Sequence, residues 1–181
     1  MTRHAIALLQ ERGVNGVTID AVLAASAAPR GSVYHHFPGG RAELVHEAAR
    51  ASATTMTDFI RHGAQAPLQR LIDDFVDLWR QALLRSDFRA GCPIASLIAE
   101  TADELRASVD LAARTFDEWI DLLRDAQIAQ GCDPDEATGR SVLTVAAVEG
   151  AITLCRARRS IDPLELVAAQ LHRLADIPEG R

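Results

Sequence analysis

The sequence predicts an all-α protein, and three observations carry this prediction. Apolar residues recur at three- and four-residue spacing along the chain, and no segment alternates apolar and polar residues as a strand would. Proline and glycine divide this pattern into segments of helical length. Two of these segments, near the N-terminus, are short and lie close together, as in a helix-turn-helix. We expect about nine helices, with an N-terminal three-helix domain over residues 1–45 and a larger helical domain over residues 46–181.

The first helix is predicted from Thr2 to Arg12, ending at Gly13. Thr18 then begins the helix-turn-helix, because its hydroxyl can accept a hydrogen bond from an amide of the first helical turn. This helix runs to about Ala25.

Pro29 begins the second helix of the motif, since proline at the first helical position loses no hydrogen bond. Residues 38–40, Pro-Gly-Gly, end it. Arg30 and Tyr34 lie one turn apart and share one side of this helix. The side directed toward the core holds Val33, His36 and Phe37. The exposed cationic and aromatic side chains suit a DNA groove.

The remaining chain is predicted to form six further helices, each bounded by proline, glycine or polar residues. The predicted ranges are 41–63, 67–85, a short apolar helix from Pro93 through IASLIAE, 102–130, 134–160 and 163–177.

Charge is unevenly distributed along the chain. The net charge of −6 argues against a protein that binds nucleic acid over its whole surface. Residues 1–50 carry five arginines against four acidic residues and four of the six histidines, whereas residues 51–181 are acidic. The N-terminal region can therefore approach phosphate locally. Every basic residue is arginine, whose planar guanidinium can contact a guanine edge or a phosphate.

Neither cysteine nor histidine indicates an enzyme. Cys92, Cys132 and Cys155 have no metal-ligand spacing, and we interpret them as buried thiols of a cytoplasmic protein, with redox sensing as the open alternative. His35 and His36 are adjacent, so they face different directions on a helix, and no nucleophile or carboxylate stands at a telling spacing. We expect no catalysis, no metal and no cofactor.

No apolar run approaches the about 18 residues of a membrane span, and the first residues form a charged, amphipathic segment. We therefore expect no signal peptide and no membrane association.

The segment PRGSVYHHFPGGRAEL, with TID eleven residues upstream, resembles the DNA-binding domain of the TetR family of transcriptional regulators. Together with GCPIASLIAE at residues 91–100, it is similar more narrowly to the branch of multidrug-operon repressors that respond to flavonoid-like ligands. One departure is Ala27, where the family usually has glycine in the turn. A left-handed alanine there costs about 1 kcal/mol.

The resemblance and the chemistry of the side chains together assign the DNA contacts. The residues predicted to read base edges are Arg30, Gly31 and Tyr34, with Arg30 bidentate to guanine and Gly31 allowing close approach. The residues predicted to bind phosphates are Thr18, Ser32, His35, His36 and Arg41. His36 is the weakest member of this set because its helical position lies toward the core.

A hydrophobic, ring-containing ligand is expected in the larger domain, where flat side chains recur. The candidate pocket residues are Phe59, Phe75, Trp79, Leu97, Phe116 and Trp119. An ordinary core is the alternative interpretation of these residues.

The last two predicted helices are apolar on more than one face, which indicates a four-helix bundle made by two copies of the chain. The candidate interface residues are Val142, Val145, Ala146, Glu149, Gly150, Thr153, Leu164, Val167, Leu171 and Leu174. An intramolecular core is the alternative. The resemblance also implies a homodimer.

The sequence therefore predicts a ligand-responsive repressor that binds a palindromic operator in double-stranded DNA as a homodimer. One alternative is a ligand-binding or protein-interaction dimer without specific operator binding, which Ala27 and the lack of a basic arm before the first helix would favour. Activation in place of repression also stays open.

Overall fold

The computed structural model describes residues 1–175, with Arg30 described in its backbone alone. These residues form eight α-helices and two short 3₁₀ helices, joined by turns and loops. No strand occurs in these residues, so the predicted all-α fold class is confirmed. The sequence predicted about nine helices, and these residues contain eight α-helices. They are α1 Thr2–Gly16, α2 Ile19–Ser26, α3 Arg30–His36, α4 Gly40–Gly63, α5 Leu68–Arg85, α6 Arg106–Ala129, α7 Pro134–Arg158 and α8 Asp162–Ala175. The 3₁₀ helices are Ala95–Leu97 and Asp103–Leu105.

The chain forms two compact units, and each is built from two separate stretches of sequence. The first unit comprises Met1–Thr55 and Arg89–Thr115, and the second comprises Met56–Phe88 and the chain from Phe116 onward. Helices α4 and α6 therefore contribute residues to both units. The domain boundary predicted after residue 45 falls within α4.

In the first unit, α1 is longer than predicted. Gly13 adopts φ 65° and ψ −170°, which kinks the helix, and a further turn follows to Gly16. The helical conformation therefore breaks at Gly13, where the sequence predicted the helix to end, because glycine admits the left-handed φ without a steric cost. The helical turn that follows was not predicted. Residues 89–91 lie along α1, where the Gly91 amide donates to the carbonyl oxygen of Gln10 at 2.8 Å.

The prediction of a short helix from Pro93 through IASLIAE is wrong. Only Ala95–Leu97 is helical there, and it is a 3₁₀ helix, in which the Leu97 amide donates to the carbonyl oxygen of Ile94 at 3.1 Å. Ile94 and Leu97 are both buried. Their three-residue spacing matches the 3₁₀ period, so a tight turn directs both side chains into the core.

The second unit is held by apolar packing with few buried polar groups. The buried residues of α5 are Leu68, Leu71, Trp79 and Leu83. Trp119 Nε1 donates to Thr57 Oγ1 at 2.9 Å, and the buried Gln127 amide donates to Ser141 Oγ at 2.7 Å. These hydrogen bonds satisfy polar groups that would otherwise be costly to bury.

The boundaries of α7 and α8 follow from capping. The Asp133 carboxylate accepts from the Asp135 and Glu136 amides and caps α7, and Arg159 ends the helix in the left-handed conformation. The final helix begins at Asp162. Its predicted end at Ile177 lies outside the described residues.

Within residues 1–175, no helix combines the length and apolar character needed to cross a bilayer.

Candidate nucleic-acid interface

The turn between α2 and α3 has the geometry of a helix-turn-helix. Thr18 precedes α2, and its Oγ1 accepts a hydrogen bond from the Ala21 amide at 3.1 Å. Ala27 ends α2 with φ 52° and ψ 28°, which is the left-handed conformation expected at this position. Pro29 then leads directly into α3. The turn thus uses an alanine where glycine would be less strained.

Helix α3 is anchored by Val33 and by Phe37, which directly follows its last residue, and it exposes a polar and aromatic face to solvent. Val33 and Phe37 are buried, whereas Tyr34 is 58% exposed. His35 and His36 are both exposed, with their rings edge to face and their centroids 5.1 Å apart. The expectation that His36 points toward the core is therefore wrong. The helix ends at His36, and the backbone of Phe37, which is buried, leaves the helical conformation.

Gly31 is exposed in the first turn of α3. A methyl group placed on its α-carbon would meet no other heavy atom within 4 Å. Its φ is helical, so neither backbone conformation nor packing requires a glycine at this position. A glycine inside a helix costs about 0.5–1 kcal/mol relative to alanine. The fold therefore does not account for Gly31.

The candidate phosphate-binding residues make contacts inside the protein. Ser32 Oγ donates to the carbonyl oxygen of Pro29 at 2.6 Å, and Thr18 caps α2. The guanidinium of Arg41 donates to the carbonyl oxygens of Val14 and Val17 and lies close to Glu104. The Arg30 side chain lies outside the described part of the structure. Sequence reasoning had no local signal for Glu104, because its partner Arg41 is 63 residues away along the chain.

The second unit contains a cavity of about 90 Å³ between α4, α5, α6, α7 and α8. Its walls are mostly apolar and include two of the predicted ligand residues, Phe75 and Trp119. The polar residues that line it are Gln127, Arg140, Thr144 and Glu149.

The other predicted ligand residues do not line this cavity. Three aromatic residues contact the rings of Phe75 or Trp119 without lining the cavity, with centroid distances of 5.3–6.3 Å: Phe59, Trp79 and Phe116. Leu97 is buried in the first unit. Sequence reasoning missed the cavity walls supplied by α7 and α8, because their apolar positions were attributed to a subunit interface.

The predicted interface residues divide into three groups. Four residues are exposed along one face of α7: Val142, Ala146, Gly150 and Thr153. Four are partly buried and line the cavity: Val145, Glu149, Val167 and Leu174. Leu164 and Leu171 are buried within the second unit and also line the cavity.

The three cysteines are buried. Burial raises the pKa of the Cys155 thiol above its ordinary value, which keeps the thiol protonated at neutral pH. Because the thiolate is the reactive form, this thiol is poorly suited to rapid oxidation.

Two protein-family models match the chain. The model of the N-terminal domain of TetR-family bacterial regulatory proteins matches residues 2–48, which contain the helix-turn-helix. The model of the C-terminal domain of LmrA/YxaF-like transcriptional regulators matches residues 68–170. The two matches together span most of the chain.

Relatives and solved structures agree with these models. An HTH-type transcriptional regulator of Mycobacterium tuberculosis (strain ATCC 25618 / H37Rv) is 43% identical over 186 residues, covering 99% of this chain and 95% of the relative. The HTH-type transcriptional regulator LmrA of Bacillus subtilis (strain 168) is 27% identical over 180 residues, covering 95% and 89%.

The crystal structure of regulatory protein TetR from Rhodobacter sphaeroides is 26% identical, with a TM-score of 0.77 and 95% of both chains covered. A TetR transcriptional regulator from Legionella pneumophila shares the fold, with a TM-score of 0.78 at 20% identity and coverage of 96% and 94%. The matched models and relatives are transcriptional regulators and not enzymes. The chain therefore belongs to the TetR family of DNA-binding transcriptional regulators, with a C-terminal domain of the LmrA/YxaF-like type.

Proposed function

We propose that this regulator is a repressor that binds a palindromic operator as a homodimer and is released by a small hydrophobic ligand. The observation that carries operator reading is the exposed face of α3, where Gly31 serves no purpose in the fold and Tyr34 is largely exposed. A glycine without a side chain lets the helix backbone approach base edges closely. The helical cost of Gly31 is then accounted for by contact with DNA.

Direct reading is proposed for Arg30, Gly31 and Tyr34, with Arg30 forming two hydrogen bonds to guanine and Tyr34 contacting a thymine methyl group or a phosphate. Register is set by phosphate contacts, which carry no sequence information by themselves. The residues proposed for these contacts are Thr18, Ser32, His35 and His36.

A second copy of the chain is the proposed partner of the exposed face of α7. Val142 and Leu143 are 47% and 51% exposed, and the exposed residues continue at three- and four-residue spacing through Ala146, Gly150 and Leu154. A methyl group on Gly150 would meet no heavy atom within 4 Å, so the isolated chain does not require this glycine either. Small residues in such a row let two helices pack closely. A two-fold dimer then reads half-sites about 34–36 Å apart, or a multiple of that distance.

The cavity of the second unit is the proposed ligand site. At about 90 Å³ it is smaller than the cavity of about 150 Å³ that takes up benzene. A ring-containing ligand, such as a flavonoid, would therefore bind a wider conformation more tightly than the one described here. This difference in affinity is what relief of repression requires, because a ligand with equal affinity for both states shifts nothing.

Helices α4 and α6 supply a physical connection between ligand and DNA. Ile60 and Trp119 line the cavity on these two helices. Toward their N-termini, in the first unit, His46 Nδ1 lies 3.3 Å from Ser108 Oγ. Displacement of α6 against α4 in the second unit would therefore be transmitted along both helices into the first unit.

The test is footprinting of the purified protein on the DNA upstream of its own coding sequence, followed by selection from a random-sequence duplex library. We expect a protected palindrome whose affinity falls steeply as salt rises, and release on addition of a flavonoid panel. If neither experiment yields a sequence bound above competitor DNA at any salt concentration, operator binding is refuted. A dimer that binds ligand without an operator would then replace the proposal.

A further inference from the structure

Arg41 lies in the first turn of α4, and each of its three guanidinium nitrogens has a partner in the first unit. Nε donates to the carbonyl oxygen of Val17 and Nη2 to that of Val14, both at 2.9 Å. Nη1 lies 3.4 Å from Oε1 of Glu104. The Arg41 side chain is only 29% exposed.

The Val14 carbonyl lies in the last turn of α1, after the kink at Gly13, and Val17 follows directly after that helix. The Val14 carbonyl oxygen also accepts the Val17 amide at 3.0 Å, and a positive charge near the carbonyls at the end of a helix is favourable. Arg41 supplies that charge from a different helix. Its planar fork directs two nitrogens at two separate acceptors, which a lysine ammonium on a single atom does not reproduce.

These contacts join both ends of the reading motif. Val17 directly precedes Thr18, the capping residue of α2, and Arg41 is the second residue of α4. The whole of α2, the turn and α3 therefore lies between the two points that Arg41 holds together. Helix α3 has seven residues, too few to be stable without tertiary contacts.

We propose that Arg41 is a positioning residue that fixes α3 for operator reading, and that it is not a phosphate ligand. The one nitrogen that does not bind a backbone carbonyl faces the Glu104 carboxylate, so a phosphate approaching there meets negative charge. Glu104 thus places a carboxylate beside Nη1, the guanidinium nitrogen that the two carbonyls do not bind. The inference rests on the proposed operator reading, because the position of α3 matters only if α3 reads DNA.

Two variants separate this proposal from a phosphate contact. We measure the affinity of Arg41→Lys and Arg41→Ala for the duplex selected in vitro from the random library, over a salt series. Arg50→Ala is the matched control, since it removes an exposed arginine of the same helix, paired with Glu47. A phosphate ligand would tolerate lysine, and its loss to alanine would reduce the salt slope by about 0.9 per subunit, or about 1.8 for the dimer. A positioning residue gives about tenfold weaker binding for both variants, with the slope unchanged.

A second readout uses Tyr34, the single tyrosine of the chain. Protein labelled with 3-fluorotyrosine gives one ¹⁹F resonance, which reports on α3 without DNA. We expect Arg41→Lys to shift or broaden this resonance and Arg50→Ala to leave it unchanged. An unchanged resonance in Arg41→Lys overturns the proposal, as does operator affinity within about threefold of the parent. If the parent protein selects no duplex, the proposed function has failed, while the resonance still tests whether Arg41 positions α3.

Discussion

Helix α3 carries one exposed glycine that the fold does not need, Gly31, and α7 carries two, Gly139 and Gly150. The surroundings of Gly31 and Gly150 differ. Around Gly31 the exposed side chains are polar and aromatic: Tyr34, His35 and His36. Around Gly150 they are small or aliphatic: Val142, Leu143, Ala146 and Leu154. In both helices, alanine would be the more stable residue for the isolated chain by about 0.5–1 kcal/mol.

The side chains around each glycine indicate which partner its surface would bind. An open glycine shows where a helix backbone is free to be approached closely, and the neighbouring side chains indicate what approaches. Hydrogen-bonding and aromatic groups suit base edges and phosphates. A row of small and aliphatic groups suits another helix, because it buries apolar area without a side chain to hold the helices apart.

The largest expected effect comes from a charge in the α7 face. Leu143→Arg should convert the dimer to a monomer, because an unpaired cation would be buried in the interface. Operator affinity should then fall by at least about 10³-fold, the usual gap between specific and non-specific binding. Analytical ultracentrifugation and operator titration measure the two effects.

The matched control for that change is Leu84→Arg. Leu84 lies on α5 and is 54% exposed, close to the 51% of Leu143. It should remain dimeric and bind DNA as the parent does. If both variants keep the dimer or both lose it, the exposed face of α7 is not shown to form the dimer interface.

Arg30→Ala tests reading by α3. The change should cost about 1–3 kcal/mol of operator binding and relax specificity at one base pair per half-site. Selection experiments on the parent and the variant compare the preferred bases directly. Retention of the full sequence preference would show that Arg30 does not read a base.

Gly31→Ala should separate DNA binding from stability. The free energy of unfolding should rise by about 0.5–1 kcal/mol because alanine favours the helix, while operator affinity should fall about tenfold. Thermal unfolding and operator titration report the two quantities, and the dimer should persist. If operator affinity does not change, Gly31 is not a point of close approach to DNA, and it then differs from the role proposed for Gly150 between helices.

The smallest effect is expected in the turn between the two reading helices. Ala27→Gly removes the cost of a left-handed alanine and should stabilise the protein by about 1 kcal/mol, or about 2–4 °C in Tm. Operator affinity should be unaltered. A decrease in Tm would mean that the methyl group of Ala27 contributes packing that outweighs its backbone cost.

Sequence patterns predicted those parts of the structure that depend on neighbouring residues. The cap at Thr18 and the end of α3 each rest on contacts within a few residues, and the structure has both. The left-handed Ala27 was expected from the family resemblance alone. The kink at Gly13 was not predicted, because glycine commonly ends a helix and the sequence does not reveal that the helix resumes after it.

Features that depend on distant residues were not predictable. The apolar period around Ile94 fits either an α-helix or a 3₁₀ turn, and burial in the first unit selects the turn. The apolar face of α8 fits either a subunit interface or a cavity wall, and Leu164 and Leu171 line the cavity. The contact of Arg41 with Glu104 has no sequence signal, because a charge pair 63 residues apart is one of many possible pairs.

The interleaving of the two units has a consequence for synthesis on the ribosome. Residues 89–115 complete the first unit through contacts such as Gly91 with Gln10 and Glu104 with Arg41. A nascent chain that has emerged only to the end of α4 lacks these partners, although it already contains the whole helix-turn-helix. Because domains generally fold as units, we expect the first unit to complete its folding only after residues 89–115 have emerged from the ribosome.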